Sequence, residues 1–488
     1  MRKAFSDQRR LDCRSVLGVE LNLNCRDEIV PILRALQHVY SQPKHRKEIF
    51  DLIGKDVNRD ASPELGRQGM DYWQILVLAA VRLGCNLDYD KLQDLAENHA
   101  ALRHIMGVGD WGQDVDFNWR RIRDNVCLLR PATIEKISHA IVAEGHRLEP
   151  EAAEQMRADF FVVETNIHWP SESSLIRDGI RKILELCVLI DSVLNVGGWR
   201  QTEHLLKQIK KLARNIDRIA SRKGSGYQER LKREYVTLLE RSGTILRRAE
   251  RLLLAAEAGK QPALAAQAAQ LRGFLERTEQ VRDTARRRVL NGEAVPNMEK
   301  LFSIFEPHTQ LYKRGKAGEP VQFGRMALIY EDAAGFITHS YVLGRDELER
   351  DTIIPQTKFV KKLLKGKLKG VSFDRGCHSP ENQRCLAALL EEPCLPKPGI
   401  KQAAEQELAA TVSFRQARQR HPGVESAIGA LQSGNGLERC RDRTEIGLER
   451  YVALGILGRN LHVLGKLLIA REDSASEAAR TKRKHRAA

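Results

Sequence analysis

Between about residues 200 and 290 the chain is rich in Lys, Arg, Gln, Glu and Leu, almost free of proline, and spaces its apolar residues by four and three. Leu205, Ile209, Leu212, Ile216 and Ile219 make one run, and Leu231, Tyr235, Leu238, Ile245 and Leu252 make a second. Between them lies the flexible stretch Ser221-Arg222-Lys223-Gly224-Ser225-Gly226. This pattern predicts a helical hairpin closed by a coiled-coil seam, with a first arm of about nineteen residues reaching roughly 28 Å. Strand-like sequence stands on both sides of it. Asp159 leads into the β-rich run Phe160-Phe161-Val162-Val163, and Gln322–Tyr330 and Phe336–Leu343 flank the turn residues Asp332-Ala333-Ala334-Gly335. The chain therefore reads as an α/β domain interrupted by a helical insertion. Lys207, Lys210, Lys211, Arg214, Arg218, Arg222 and Lys223 make the first arm and its tip basic. They suit phosphate contacts, and equally the solvated face of a spacer or oligomerisation hairpin.

Residues 1–150 read as helical, with the most apolar helix over Gly69–Leu83 as their core. Two short helices, Tyr89–Glu97 and Ala101–Met106, joined through Asn98-His99, have the pattern of a helix-turn-helix or of any small bundle. Beyond the hairpin strands, a helix is expected over Thr357–Leu364. Val371-Ser372-Phe373 then forms a short strand that ends in Asp374 and breaks at Gly376. Ser379 as N-cap and Pro380 at the first helical position start the next helix. Helices resume from Ala403, with a long final one over Thr444–Ala470.

Without the insertion, this is the element order of a ribonuclease H-like α/β domain, a mixed sheet flanked by helices. In that order Asp159 and Asp374 lie on neighbouring parallel strands. Two carboxylates that close each raise the other's cost of ionising unless a cation lies between them, and Mg²⁺ suits an all-oxygen site that must also meet phosphate. A third ligand should come from a helix over the same edge. Glu425 fits, in the first turn of a helix whose apolar face is Val424, Ile428 and Leu431, preceded by the basic residues Arg415, Arg418, Arg420 and His421. Taken singly, Asp374 reads more readily as a turn cap, and Glu425 more readily as a solvated helical side chain.

Lys and Arg exceed Asp and Glu by 80 to 64, a formal charge of +16 that favours a polyanionic partner, most simply nucleic acid. Nine cysteines, odd in number and without zinc-ligand spacing, suggest reduced thiols in a cytosol and no zinc site. No signal-peptide core and no bilayer-length apolar stretch is read, so a soluble, intracellular protein is expected. The basic run Arg480–Arg486 closes a tail read as disordered.

Four motifs in order carry a family resemblance: Asp159 with Val162-Val163-Glu164-Thr165-Asn166-Ile167-His168; Glu306-Pro307-His308-Thr309; Phe373-Asp374-Arg375-Gly376 with His378-Ser379-Pro380-Glu381-Asn382; and His421-Pro422-Gly423-Val424-Glu425. Together they resemble the DDE transposases of bacterial insertion sequences, the ISNCY-like group in particular, and more distantly the IS-four-like and IS-five-like superfamily. The N-terminal region through Gly69-Met70-Asp71-Tyr72-Trp73 is similar to the same enzymes, so the resemblance spans about residues 65–465.

The resemblance implies a metal-dependent DNA strand-cleaving and strand-joining enzyme. Asp159, Asp374 and Glu425 would be its catalytic and metal-binding triad for two Mg²⁺ ions, with Mn²⁺ as a substitute. Read from their charge rather than from the resemblance, the candidate DNA contacts are Arg375, His378, Arg415, Arg418, Arg420, His421, Lys207, Lys210, Lys211 and Arg214. The resemblance further implies double-stranded DNA ends and target as partners, a homodimer on paired ends, no membrane, no small-molecule cofactor, and a cytoplasmic, nucleoid-associated location in a bacterium. The expected divisions are a helical DNA-binding domain (1–150), the first catalytic strand (151–168), a coiled-coil insertion (169–300), the rest of the catalytic core (301–470) and the tail (471–488). Two features depart from the wider superfamily. Arg418, His421 and Gln432 stand where many relatives place Tyr, Arg and Lys around the Glu, and the insertion lies between the two Asp residues. The alternatives are a catalytically inactive DNA-binding regulator and a ribonuclease H-like nuclease that cuts without joining.

Overall fold

The chain's structure, a computed structural model, describes residues 2–4, 12–59, 69–109, 117–259, 261–313, 320–399 and 403–487. Phe5 and Ser6, part of the N-terminal stretch read for a signal segment, lie outside them. Two compact units emerge, Met1–Glu164 with Arg325–Ala488, and Thr165–Gly324.

In the first unit, seven α-helices precede the first strand among the described residues: α1 (Ile29–Ser41), α2 (Pro43–Asn58), α3 (Tyr72–Gly84), α4 (Tyr89–Asn98), α5 (Ala100–Ile105), α6 (Trp119–Val126) and α7 (Pro131–Leu148). A capping box starts α3: the Gln74 amide donates to Asp71 Oδ1 at 2.9 Å, and the Asp71 amide donates to Gln74 Oε1 at 3.4 Å. Twelve of the thirteen residues of α3 are buried, which makes it the core helix its composition suggests. The two short helices are present as α4 and α5, although α5 ends after six residues and buries Leu102 and Ile105.

The sheet has six strands, β1 (Gln155–Thr165), β2 (Gln310–Lys313), β3 (Val321–Asp332), β4 (Ile337–Val342), β5 (Gly370–Ser372) and β6 (Arg439–Cys440). Its order is β2-β3-β1-β5, with β4 on β3 and β6 on β1. β3 and β4 pair antiparallel, β1 and β5 pair parallel, and a parallel bridge from Ser372 to Cys394 continues the sheet beyond β5. The β3–β4 turn is the expected hairpin. Asp332 Oδ1 accepts from the amides of Ala334 and Phe336, both at 2.9 Å, and Gly335 takes a φ of 86°.

The insertion comprises α8 (Glu172–Leu194), α9 (Thr202–Arg222), α10 (Tyr227–Ala258) and α11 (Pro262–Ala285). The expected hairpin is α9 and α10, turning through Lys223 and Gly226 at φ 42° and 66°. It is one half of a four-helix bundle with its own core. The hairpin buries Ile209, Ile216, Tyr235, Leu238, Ile245 and Leu252, while α8 adds Ile176, Ile180, Ile183 and Ile190 and α11 adds Leu264, Leu271 and Leu275.

The remaining helices are α12 (Glu349–Leu363), α13 (Pro380–Leu389), α14 (Ala403–Ala410), α15 (Val412–Arg420), α16 (Gly423–Gly429) and α17 (Glu445–Ala487). α12 begins eight residues before the expected start. Pro355 interrupts the pattern in sequence, yet it lies within the helix.

α17 corrects two expectations. The tail expected to be disordered continues this helix to Ala487, in keeping with its many Ala, Glu, Lys and Arg residues. The N-terminal helices are also not a separate body, because α17 packs on α1, α3 and α7 and all of them share one core with the sheet. Asn460 on α17 ties these layers together. Its Nδ2 donates to Ser138 Oγ and Ile337 O, both at 2.9 Å, and its Oδ1 accepts from the Ile337 amide at 2.8 Å. By length and apolar composition Glu445–Glu477 could cross a bilayer, contrary to the sequence reading, but 61% of its most apolar window is buried inside the protein, as in a core helix. All nine cysteines are free.

Candidate functional site

β1 and β5 run parallel with Gln155 opposite Gly370, Met156 opposite Val371 and Arg157 opposite Ser372. The same register, carried two residues further, sets Asp159 opposite Asp374, where β5 has just given way to the 3₁₀ turn Arg375–Cys377. Asp159 is half-buried and its Oδ1 accepts from the Phe160 amide at 2.7 Å. Asp374 is exposed. Downstream the local reading holds: Ser379 Oγ caps α13 by accepting from the Asn382 amide at 3.0 Å, with Pro380 first in the helix.

Glu425 is exposed in the first turn of α16, while Val424 and Ala427 turn inward. Alternation along β1 puts Phe161 and Val163 on the same face as Asp159. Those two residues share a buried cluster with Val424, Ala427 and Leu431. The helix bearing Glu425 thus belongs to the layer covering the face that bears Asp159. Among the described residues, neither the Asp374 nor the Glu425 side chain has a hydrogen bond or ion pair.

Two neighbours register these charges. Burial, followed by the fields of Glu349, Asp159 and Asp374, pushes the Cys377 thiol up to about 12. Burial also lowers His421 below its ordinary value; Asp374 and Glu425 work against that shift, while Arg418 and Arg157 reinforce it. Cys377 therefore senses Asp159 and Asp374, and His421 senses Asp374 and Glu425. The three carboxylates do not form the tightest ligand group: among the described residues, only Glu135, His139 and His339 bring three ligand atoms within 4.8 Å of one another. What Asp159, Asp374 and Glu425 offer is an all-oxygen donor set, the chemistry that suits Mg²⁺.

Basic residues lie on the segments that carry or precede Asp374 and Glu425. Arg375, Arg415, Arg418 and Arg420 are exposed and His378 is half-buried. His421 Nδ1 lies 3.1 Å from Ser372 Oγ on β5. Sequence reasoning missed Arg157. Its Nε donates to Glu331 Oε2 at 2.5 Å and its Nη1 to Arg420 O at 3.1 Å, so it links β1, β3 and α15. The signal was available, since Arg157 stands two residues before Asp159 and so on the same face. Glu164, further along β1, accepts from Arg439 Nη2 at 2.9 Å.

Lys207, Lys210, Lys211 and Arg214 belong to the other unit, on the exposed side of α9 and without side-chain partners among the described residues. Glu306 and His308 also lie in that unit, 3.7 Å apart.

Comparison with protein-family models, with curated proteins and with solved structures returned no match.

Proposed function

We propose that the protein is a DNA transposase of the DDE type, cleaving and joining DNA strands at the ends of a bacterial insertion sequence. The observation that carries this reading is the parallel β1–β5 register, which ends at Arg157 opposite Ser372 and, carried two residues further, would oppose Asp159 and Asp374, with the Glu425 helix sharing the buried cluster on that face. The strand order β4-β3-β1-β5, continued by the Cys394 bridge, supports a ribonuclease H-like catalytic core. Most of the second unit is then an insertion between β1 and β3.

Asp159 and Asp374 would hold two Mg²⁺ ions, with Glu425 completing one, and Mn²⁺ would substitute. Metal held by these carboxylates would supply charge neutralisation at the scissile phosphate and a more acidic bound hydroxyl. Arg415, Arg418 and Arg420 hold the strand by its phosphates, and Arg157 supports Arg420 from beneath through the Arg420 carbonyl. Water is the nucleophile for cleavage and a DNA 3′-hydroxyl for joining. His421, kept neutral by burial, can accept or donate one hydrogen bond without adding fixed charge beside the carboxylates.

The test incubates the full chain with a labelled duplex bearing the DNA that flanks its coding region, a target plasmid and Mg²⁺. Nicked donor and joined product are expected. Binding without nicking means a DNA-binding regulator, and nicking without joining means a nuclease. No binding at all rejects a nucleic-acid role.

A further inference from the structure

Away from the carboxylates, α7 and β4 bring together a different set of donors. Glu135 and His139 are one turn apart on α7, and His339 projects from β4 toward them. Glu135 Oε1 lies 3.4 Å from His339 Nδ1 and 3.8 Å from His139 Nε2, and one ligand atom from each residue falls within 4.8 Å of the other two. Four ligands held tetrahedrally at about 2.0–2.1 Å from an ion are about 3.3–3.4 Å apart, so a small rotamer adjustment closes this group on a metal.

Two further observations point to a ligand. His139 Nε2 and His339 Nδ1 are both buried, and neither makes a hydrogen bond. His339 is 5% exposed, and leaving such an atom unsatisfied costs about 1–3 kcal/mol. The other nitrogen of His339, Nε2, lies 2.9 Å from Gln356 Oε1. With the Gln356 amide oxygen facing it, Nε2 would carry the proton and leave the Nδ1 lone pair toward Glu135 and His139. That is how an outer carbonyl or carboxylate orients a metal-binding imidazole. The group borders a cavity of about 280 Å³ that Ser138, Tyr341 and Glu449 help to line, leaving room for a solvent ligand.

We propose that Glu135, His139 and His339 form a binding site for a first-row divalent metal of the zinc class, with its open position facing this cavity. Two imidazoles and one carboxylate favour such an ion over Mg²⁺, which separates this site chemically from the oxygen-only triad. Sequence reading excluded zinc because no cysteine has ligand spacing; this site uses none.

The test strips the full chain with a chelator, adds Zn²⁺, dialyses against metal-free buffer and counts bound metal. Wild type should retain one equivalent more than His139→Gln, whose affinity should fall by about 100-fold or more. Gln356→Leu keeps all three ligands but frees the His339 ring, and should weaken binding by about 10–100-fold. Because His339 is buried and its variants could misfold, the half-buried His139 carries the comparison. Zn²⁺ should raise the melting temperature of wild type and of Asp374→Asn, and should leave His139→Gln unmoved. Equal zinc retention by wild type and His139→Gln, or equal thermal shifts, would overturn the proposal and leave an ion-paired His/Glu cluster.

Discussion

Gly458 on α17 tests the packing that joins the ends of the chain. A Cβ built there would lie 2.6 Å from the Gly84 Cα and amide nitrogen of α3, and 3.1 Å from the Leu83 carbonyl carbon. All three are backbone atoms in a buried helix, so no side chain can move aside, and non-bonded carbons prefer about 3.5–4.0 Å. Gly458→Ala therefore forces the helices about 1 Å apart. Helix propensity alone would favour Ala by about 1 kcal/mol. Against this stands an overpacking cost of about 1–3 kcal/mol, together with roughly a quarter to a half of the dispersion energy of each contact loosened around the crossing.

The clash should win, with a net loss of about 2 kcal/mol, equivalent to about 30-fold faster amide exchange by local opening in α3 and α17. Gly429→Ala is the control. It ends α16 with nothing within 4 Å of its Cβ, so Ala there should be neutral or stabilising by up to about 1 kcal/mol. Hydrogen exchange read by mass spectrometry resolves the two regions separately. Unchanged or slower exchange in α3 of Gly458→Ala would refute the α3–α17 crossing.

His462 is held at about 4, against an ordinary 6.5, first by burial and then by Lys466 and Arg459. The unfolded chain then binds the extra proton first, so stability should fall as pH drops from about 6.5 toward 4; with the ring part-exposed the effect is about 1–2 kcal/mol, and His462→Gln should flatten that limb in urea titrations. Replacing Lys207, Lys210, Lys211 and Arg214 together by Gln should make the slope of log affinity against log salt less negative by about 3–4 if each meets a phosphate. An unchanged slope in filter-binding assays would mark α9 as a solvated face.

Local signals were legible wherever one residue fixes one backbone feature. Asp332 with Gly335 specified the hairpin, Ser379-Pro380 the start of α13, and the Val424–Leu431 spacing the inward face of the Glu425 helix. Signals that depend on distant partners were not. The helix expected from Thr357 begins at Glu349 and runs through Pro355. The α9–α10 seam showed a hairpin, but not that α8 and α11 would complete a bundle. Nothing local in α17 announces that Gly458 meets Gly84, or that Asn460 completes the hydrogen bonds of Ile337. The site divides in the same way. Asp159, Asp374 and Glu425 could be ordered by topology, and Arg157 was readable from alternation. His339 lies 200 residues from His139, so no spacing rule joins them.

The central claim rests on Asp374. Single-turnover nicking of the labelled donor in Mg²⁺ should fall by at least about 1,000-fold in Asp374→Asn, the scale of losing an electrostatic group that acts in the transition state. Donor binding in Ca²⁺ should stay within about threefold, since Asp374 is exposed and, among the described residues, its side chain has no hydrogen-bond or ion-pair partner whose loss would disturb the fold. Nicking by Asp374→Asn at the wild-type rate would contradict the assignment of Asp159, Asp374 and Glu425 as a metal-binding triad.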